Sequence, residues 1–266
     1  MQITKDIIEE EIQHLYYATG ANSFFEPPLV AFASADDNWF ETFKSLIGPD
    51  HWTPQEALNL ADKTATAKTV ISFVLPVAQI AREENRRETK KPGYHWARTR
   101  SFGDQALQNV RNQLARFLQE QGHPAVAPFM LDDYGKSLQR LQSRWSERHV
   151  AFVAGLGTFG LSGGLITERG VAHRLGSVVT QWETKPTARP YGDDPTAWCL
   201  KCGKCARRCP ANSIGKTLLE RDKQKCLDYQ KNLFPAQTRL ETYGWMDFGI
   251  GCGLCQTDVP CEFKRP

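Results

Sequence analysis

Cysteine is missing from the first 198 of the 266 residues, and methionine occurs only three times in the whole chain. No long hydrophobic run is present. The longest nearly apolar stretch, Val70–Ala81, spans twelve residues and is broken by Ser72, Pro76 and Gln79. A membrane span needs about 20 apolar residues, so none is expected. The N-terminus, MQITKDIIEE, has neither a basic n-region nor an apolar h-region, and no twin-arginine signal stands there. The expected location is therefore the cytoplasm, where thiols stay reduced and structural disulfides are rare. A strong charge of either sign is also lacking: the formal net charge is +3. That argues against coating nucleic acid by charge alone.

All eight cysteines fall within Cys199–Cys261. From residue 199 onward 12 Lys and Arg stand against 7 Asp and Glu, while the rest of the chain is slightly acidic. These shifts divide the sequence into an α/β (α+β) domain at 1–190 and a cysteine domain at 191–266. In the first, Ile7, Ile8, Ile12 and Leu15 repeat at helical spacing, with Gly20 as a stop. Thr53-Pro54 followed by Glu56 reads as a capped helix start. Thr69–Leu75, Ala125–Met130 and Gly176–Trp182 read as strands, and Gly103–Gln121 and Asp132–Trp145 as helices. Arg82–Arg100 reads as a solvated loop, or more sharply as a lid or basic edge facing a phosphate-bearing ligand, with Arg98 and Arg100 as holders.

Cys199, Cys202, Cys205 and Cys209, followed by Pro210, spell C-x2-C-x2-C-x3-C-P. This is the known spacing of bacterial two-cluster ferredoxins. A 4Fe–4S cube needs four thiolates. A tight loop supplies three, and the fourth residue of the run turns to a second cube. Four more cysteines are then required, and Cys226, Cys252, Cys255 and Cys261 supply them. The expected sets are Cys199, Cys202, Cys205 and Cys261 on one cluster, and Cys209, Cys226, Cys252 and Cys255 on the other. Cys261 falls two positions later than the usual spacing, so either a shifted loop carries it or another group completes that cluster. Two four-thiolate zinc sites are the competing reading, but the run lacks the spacer between paired hooks that zinc ribbons show.

Gly155, Gly157 and Gly160 match G-x-G-x-x-G, with His149–Ala154 as a strand before it. No helix start follows, so a nicotinamide site is not expected. The combination of AGLGTFGLSGGLITERG, CLKCGKCARRCPANSI, Cys226 and CGLCQTDVPC resembles the epoxyqueuosine reductases and the catalytic domain of reductive dehalogenases. KTVISFVLP and LARFLQEQGHPAVAP also resemble that family's N-terminal domain. The resemblance implies a nitroreductase-like cobalamin-binding domain followed by a ferredoxin-like domain with two 4Fe–4S clusters. It implies an oxidoreductase that passes electrons through the clusters to a corrinoid, which reduces a small-molecule substrate. It makes Gly155, Gly157, Thr158, Phe159 and Gly160 cofactor contacts, and it implies a reduced ferredoxin or flavodoxin-type donor. The family's acidic proton donor, before a Glu-Arg pair, has no counterpart in Leu138–Arg148, and the family's tRNA-binding extension is absent. Both disfavour tRNA as a partner. Tyr94, His95 and His173 are the candidate acids. An electron-transfer protein serving a partner's corrinoid, and a divergent epoxyqueuosine reductase, are the alternatives.

Overall fold

Thr69–Pro76 is buried at every position. Its side chains alternate between two apolar layers, as strand geometry demands. Ile71, Phe73 and Leu75 enter one core cluster, and Val70 and Val74 enter another. This strand is the middle of the chain's main sheet. The computed structural model describes residues 3–134, 141–244 and 251–266.

The strands are β1 (Leu29–Ser34), β2 (Thr69–Pro76), β3 (Ala125–Val126), β4 (Gly157–Phe159), β5 (Leu165–Thr167) and β6 (His173–Thr180). β1, β2, β6 and β3 form one antiparallel sheet in that order, and β4 pairs with β5. The helices begin with α1 (Lys5–Ala18), α2 (Trp39–Leu46), α3 (Pro54–Asn59) and α4 (Gln79–Arg87). They continue with α5 (Tyr94–Arg98), α6 (Asp104–Glu120) and α7 (Glu147–Val153). α1 and α6 share the core layer on one face of the sheet, and α2, α3 and α7 share the layer on the other. Thr53 and Glu56 close a reciprocal capping box on α3. Among the described residues no helix is long and apolar enough to cross a membrane.

Several local expectations change. His149–Ala154 is not a strand but most of α7, since its apolar run Val150–Val153 is enclosed on all sides. A short apolar run does not by itself separate a buried strand from a buried helix. The strand expected over Ala125–Met130 stops at Val126, because Pro128 starts a 3-10 turn. Of the helix expected over Asp132–Trp145, residues 135–140 lie outside the described residues, and the flanks are turns and bends. Arg82–Arg100 is not a solvated loop. It forms α4 and α5, with Arg82, Asn85 and Trp96 buried.

α4 faces the C-terminal cysteine segment. The Glu262 carboxylate is 2% exposed and accepts from Arg86 Nε at 2.8 Å, with Arg82 Nε at 3.7 Å. Asn85 donates to Cys252 O and Thr257 Oγ1, at 3.3 and 3.0 Å. Trp96 Nε1 donates to Gly251 O at 2.9 Å. Gly253, at φ +64°, packs where any Cβ would overlap the Trp96 indole. Without Glu262, Arg82 keeps its pair with Glu26 at 2.8 Å and Arg86 is 37% exposed, so what is lost is charge-assisted hydrogen bonding. Glu262→Ala should therefore lower stability by about 2 kcal/mol. Loss of the exposed Arg116–Glu120 pair should cost under about 0.5 kcal/mol. Denaturant midpoints of Glu262→Ala and Arg116→Ala check the contrast.

Candidate functional site

The cysteine loops turn through left-handed backbone. Lys201 and Gly203 have φ of +51° and +70°, and Gly251 and Gly253 have +63° and +64°. Such turns curl a short loop so that its sulfurs face one side. All eight cysteines are free thiols. Cys199, Cys202, Cys205 and Cys261 line one cavity. Cys209, Cys226, Cys252 and Cys255 line a second.

Cys261 reaches the first cavity through a turn at Asp258, whose φ is +53°. Val259 is buried beside it, and Glu262 N–H closes the turn onto Val259 O at 3.0 Å. The Val171 N–H then holds Cys261 O at 2.7 Å. Among the described residues no three His, Cys, Asp or Glu side chains converge on a single-ion point. Each set of four instead lines its own cavity. Burial, with neighbouring thiols, pushes Cys252 up to about 11 and Cys261 to about 12, and Cys255 upward as well. Metal ligation supplies the positive charge that makes such thiols thiolates. In the second set, Gln230 Nε2 donates to Cys226 Sγ at 3.1 Å and Ser213 N–H to Cys209 Sγ at 3.4 Å. Hydrogen bonds to the sulfurs are one lever on cluster potential.

A third, larger cavity lies beside the second set. Gln256, next to Cys255, is in its wall, and so are Gly164 and Leu165. Charged side chains fill much of the rest: Arg100, Asp104, Arg111, Glu147, Arg148 and Arg174. Arg100 pairs with Asp104 at 3.0 Å and Arg111 with Glu147 at 3.5 Å. Glu147 Oε2 also accepts from Ser177 Oγ at 2.6 Å. Burial outweighs the nearby Arg111 and raises the Glu147 carboxyl to about 7. Arg148 is exposed and Arg174 half-buried on the cavity wall, and desolvation, with Arg221 beside Arg148 and Arg100 beside Arg174, lowers each to about 10. His173 lines the same wall, 6% exposed, and burial lowers it to about 4. Buried polar atoms without partners cluster here: His173 Nδ1, Arg174 Nε, Arg111 Nη1 and Glu147 Oε1. Such atoms mark a site that takes a polar ligand or ordered water.

Of the three candidate acids, only His173 reaches this cavity. Tyr94 is 44% exposed and packs near Tyr243, and His95 pairs with Glu84 at 3.0 Å. The five expected cofactor contacts have other surroundings. Gly155 is the left-handed end of α7: its N–H bonds Phe152 O at 3.1 Å, and Leu156 N–H bonds Ala151 O at 2.9 Å. Gly157, Thr158 and Phe159 form β4, and a Cβ on Gly157 would overlap Ile166 O. Gly160 lines the first cysteine cavity. None of the five is in the wall of the large cavity. Sequence reading passed over Arg111 and Glu147. Arg111 was detectable as a charge inside the apolar stripe Leu107, Val110, Leu114 and Leu118 of α6.

No protein-family model and no curated protein matches the sequence. Solved structures do match. Epoxyqueuosine reductase from Streptococcus thermophilus superposes with a TM-score of 0.56 at 18% identity, over 97% of this chain and 68% of that one. The fold is that of the epoxyqueuosine reductases and reductive dehalogenases. An epoxyqueuosine reductase bound to a tRNA-Tyr stem loop gives 0.50 at 19% identity, over 96% of this chain and 66% of that one. A reductive dehalogenase whose dehalogenation is B12-dependent gives 0.50 at 14%, over 92% and 30%. The chain thus spans about two thirds of these epoxyqueuosine reductases and under a third of that dehalogenase.

Buried titrating groups set an acid response. His51, His149 and His173 are held neutral by burial, at about 4, 3 and 4, below the ordinary 6.5. Each contributes stability above pH 6.5 that is lost as pH falls toward its folded value. Glu147, raised from 4.5 to about 7, works the other way: its contribution is present at low pH and lost as pH rises through 7. Glu147→Gln should therefore steepen the loss of stability between pH 6.5 and 5. Urea midpoints for both proteins across that range check it, and parallel profiles would contradict it.

Proposed function

We propose that the chain is a cobalamin-dependent iron–sulfur reductase acting on a small molecule. The observation that carries this reading is the juxtaposition of two four-cysteine cavities and one large charged cavity. In this reading residues 191–266 hold two 4Fe–4S clusters on the two cysteine sets, and residues 1–190 hold the corrinoid and substrate. A corrinoid held in the large cavity would supply strongly reducing, nucleophilic cobalt chemistry. The guanidiniums and Gln256 of the wall, beside Gly164 and Leu165, would hold it by donating to its amide carbonyls.

The protein's own chemistry is orientation, exclusion of water and proton supply. Glu147 is placed for the last. Its Oε2 accepts from Ser177, its Oε1 faces Arg111 Nε at 3.5 Å, and its carboxyl still carries a proton in a good fraction of molecules near neutral pH. Glu147, the Glu of the Glu-Arg pair, would serve in place of the acidic residue that the family carries before that pair. Electrons would enter at the first cysteine set, where Cys202 is exposed among Lys201, Lys204 and Arg207. A basic rim of this kind suits an acidic donor of the ferredoxin or flavodoxin type.

Titrating the anaerobically reconstituted protein with cob(II)alamin tests the reading. Near-stoichiometric binding with a base-off cobalt EPR signal is the expected result. Retention of both clusters without cobalamin binding would reduce the chain to an electron carrier. Salt-sensitive binding of a tRNA stem loop would favour a divergent epoxyqueuosine reductase instead.

A further inference from the structure

The wall of the large cavity carries unequal charge. Among its residues Arg100 is matched by Asp104 and Arg111 by Glu147. Arg148 and Arg174 have no carboxylate in contact among the described residues. Arg148 spends one N–H on Gly163 O at 2.6 Å, and Arg174 Nε is buried with no partner. Asp104 acts on Arg174 only at longer range. His173 stands within electrostatic reach of both guanidiniums. Its Nε2–H donates to Leu165 O at 2.7 Å, and its Nδ1 has no partner. Burial and the two cations keep the ring neutral, so Nδ1 presents a lone pair.

A buried guanidinium nitrogen without counter-charge is costly, and an anion that meets Arg174 from the cavity, with the exposed Arg148 on the same wall, removes the cost. Guanidiniums recognise carboxylate and phosphate through paired, charge-assisted hydrogen bonds. We propose that Arg148, Arg174 and His173 form a seat for an oxyanion, a carboxylate or phosphate, whose adjoining hydroxyl or N–H meets His173 Nδ1. The proposal deepens the reading of the same cavity. The anion is either the nucleotide-loop phosphate of the corrinoid or the acid group of the substrate.

Two measurements test the seat. In the first, chloride is exchanged for inorganic phosphate at constant ionic strength and the melting temperature of the reconstituted protein is followed. Phosphate should raise it in the wild type and in the surface control Arg116→Gln. The rise should vanish in Arg148→Gln and Arg174→Gln. In chloride, Arg174→Gln should melt no lower than the wild type, because the charge removed is uncompensated. In the second, cobalamin is compared with cobinamide, a corrinoid without the nucleotide phosphate. If Arg174→Gln weakens cobalamin roughly tenfold or more and spares cobinamide, the seat holds the cofactor's phosphate. If both bind unchanged while phosphate still stabilises the cobalamin-loaded wild type through Arg174, the seat holds the substrate's acid group. A phosphate shift that survives in both arginine variants overturns the seat. So does a wild type without the shift whose corrinoid affinities match those of the variants. Failure of every corrinoid to bind, with the phosphate shift intact, overturns the proposed function and leaves the seat standing.

Discussion

The Glu262 carboxylate, nearly sealed from solvent between Arg86 and Arg82, is the interaction on which the cysteine-bearing part of the structure depends. A buried charge is tolerable only when paired and hydrogen-bonded, and here the pairing also ties the end of the chain to α4. Cys261 is the neighbouring residue, so the register of this clamp decides whether its sulfur reaches the first cavity. The same helix holds the second C-x2-C loop through Asn85, and α5 holds it through Trp96. Arg208 adds a third tie, donating to Thr257 O at 3.1 Å and Asn85 O at 3.2 Å. Two sulfur-lined cavities exist side by side because one helix face anchors the segments that complete both.

That face was the least legible part of the sequence. Arg82, Asn85 and Arg86 sit in a run of charges that reads as solvated surface, and the Glu262 that pairs with Arg86 lies 176 positions away. Local pattern carries no trace of such a pair. The cysteine sets could be proposed from the sequence because their spacing is local: a three-thiol loop and a fourth cysteine expected to turn to another set. The core strand Thr69–Pro76 and the α3 capping box were legible for the same reason. The Gly-rich stretch shows the opposite case. Gly155 ends a helix and Gly157 admits a neighbouring strand, so their spacing reflects backbone packing and only coincides with a nucleotide motif.

The large cavity gathers groups that depart from solution behaviour mainly through desolvation, helped by neighbouring charge. Desolvation raises Glu147, lowers Arg148 and Arg174, and keeps His173 neutral. Widely separated titration of neighbouring groups is what acid–base chemistry near neutral pH exploits. The cavity draws its walls from α6, α7 and β6 and from the residue after Cys255, so the proposed redox and proton-bearing groups meet at one place. Glu147 and Arg148 form the Glu-Arg pair of the family resemblance, and the other groups stand in no sequence motif. They come from separate elements, and only the fold assembles them.

The central claim is that the clamped C-terminal turn completes the first of two four-thiolate cluster sites. Native mass spectrometry of anaerobically reconstituted wild type and Cys261→Ala, with iron and acid-labile sulfide counted in each, addresses it directly. The account predicts two 4Fe–4S clusters in the wild type, with the first lost or degraded in the variant and the second retained. Two intact clusters in Cys261→Ala, or zinc in place of iron and sulfide in the wild type, would contradict it.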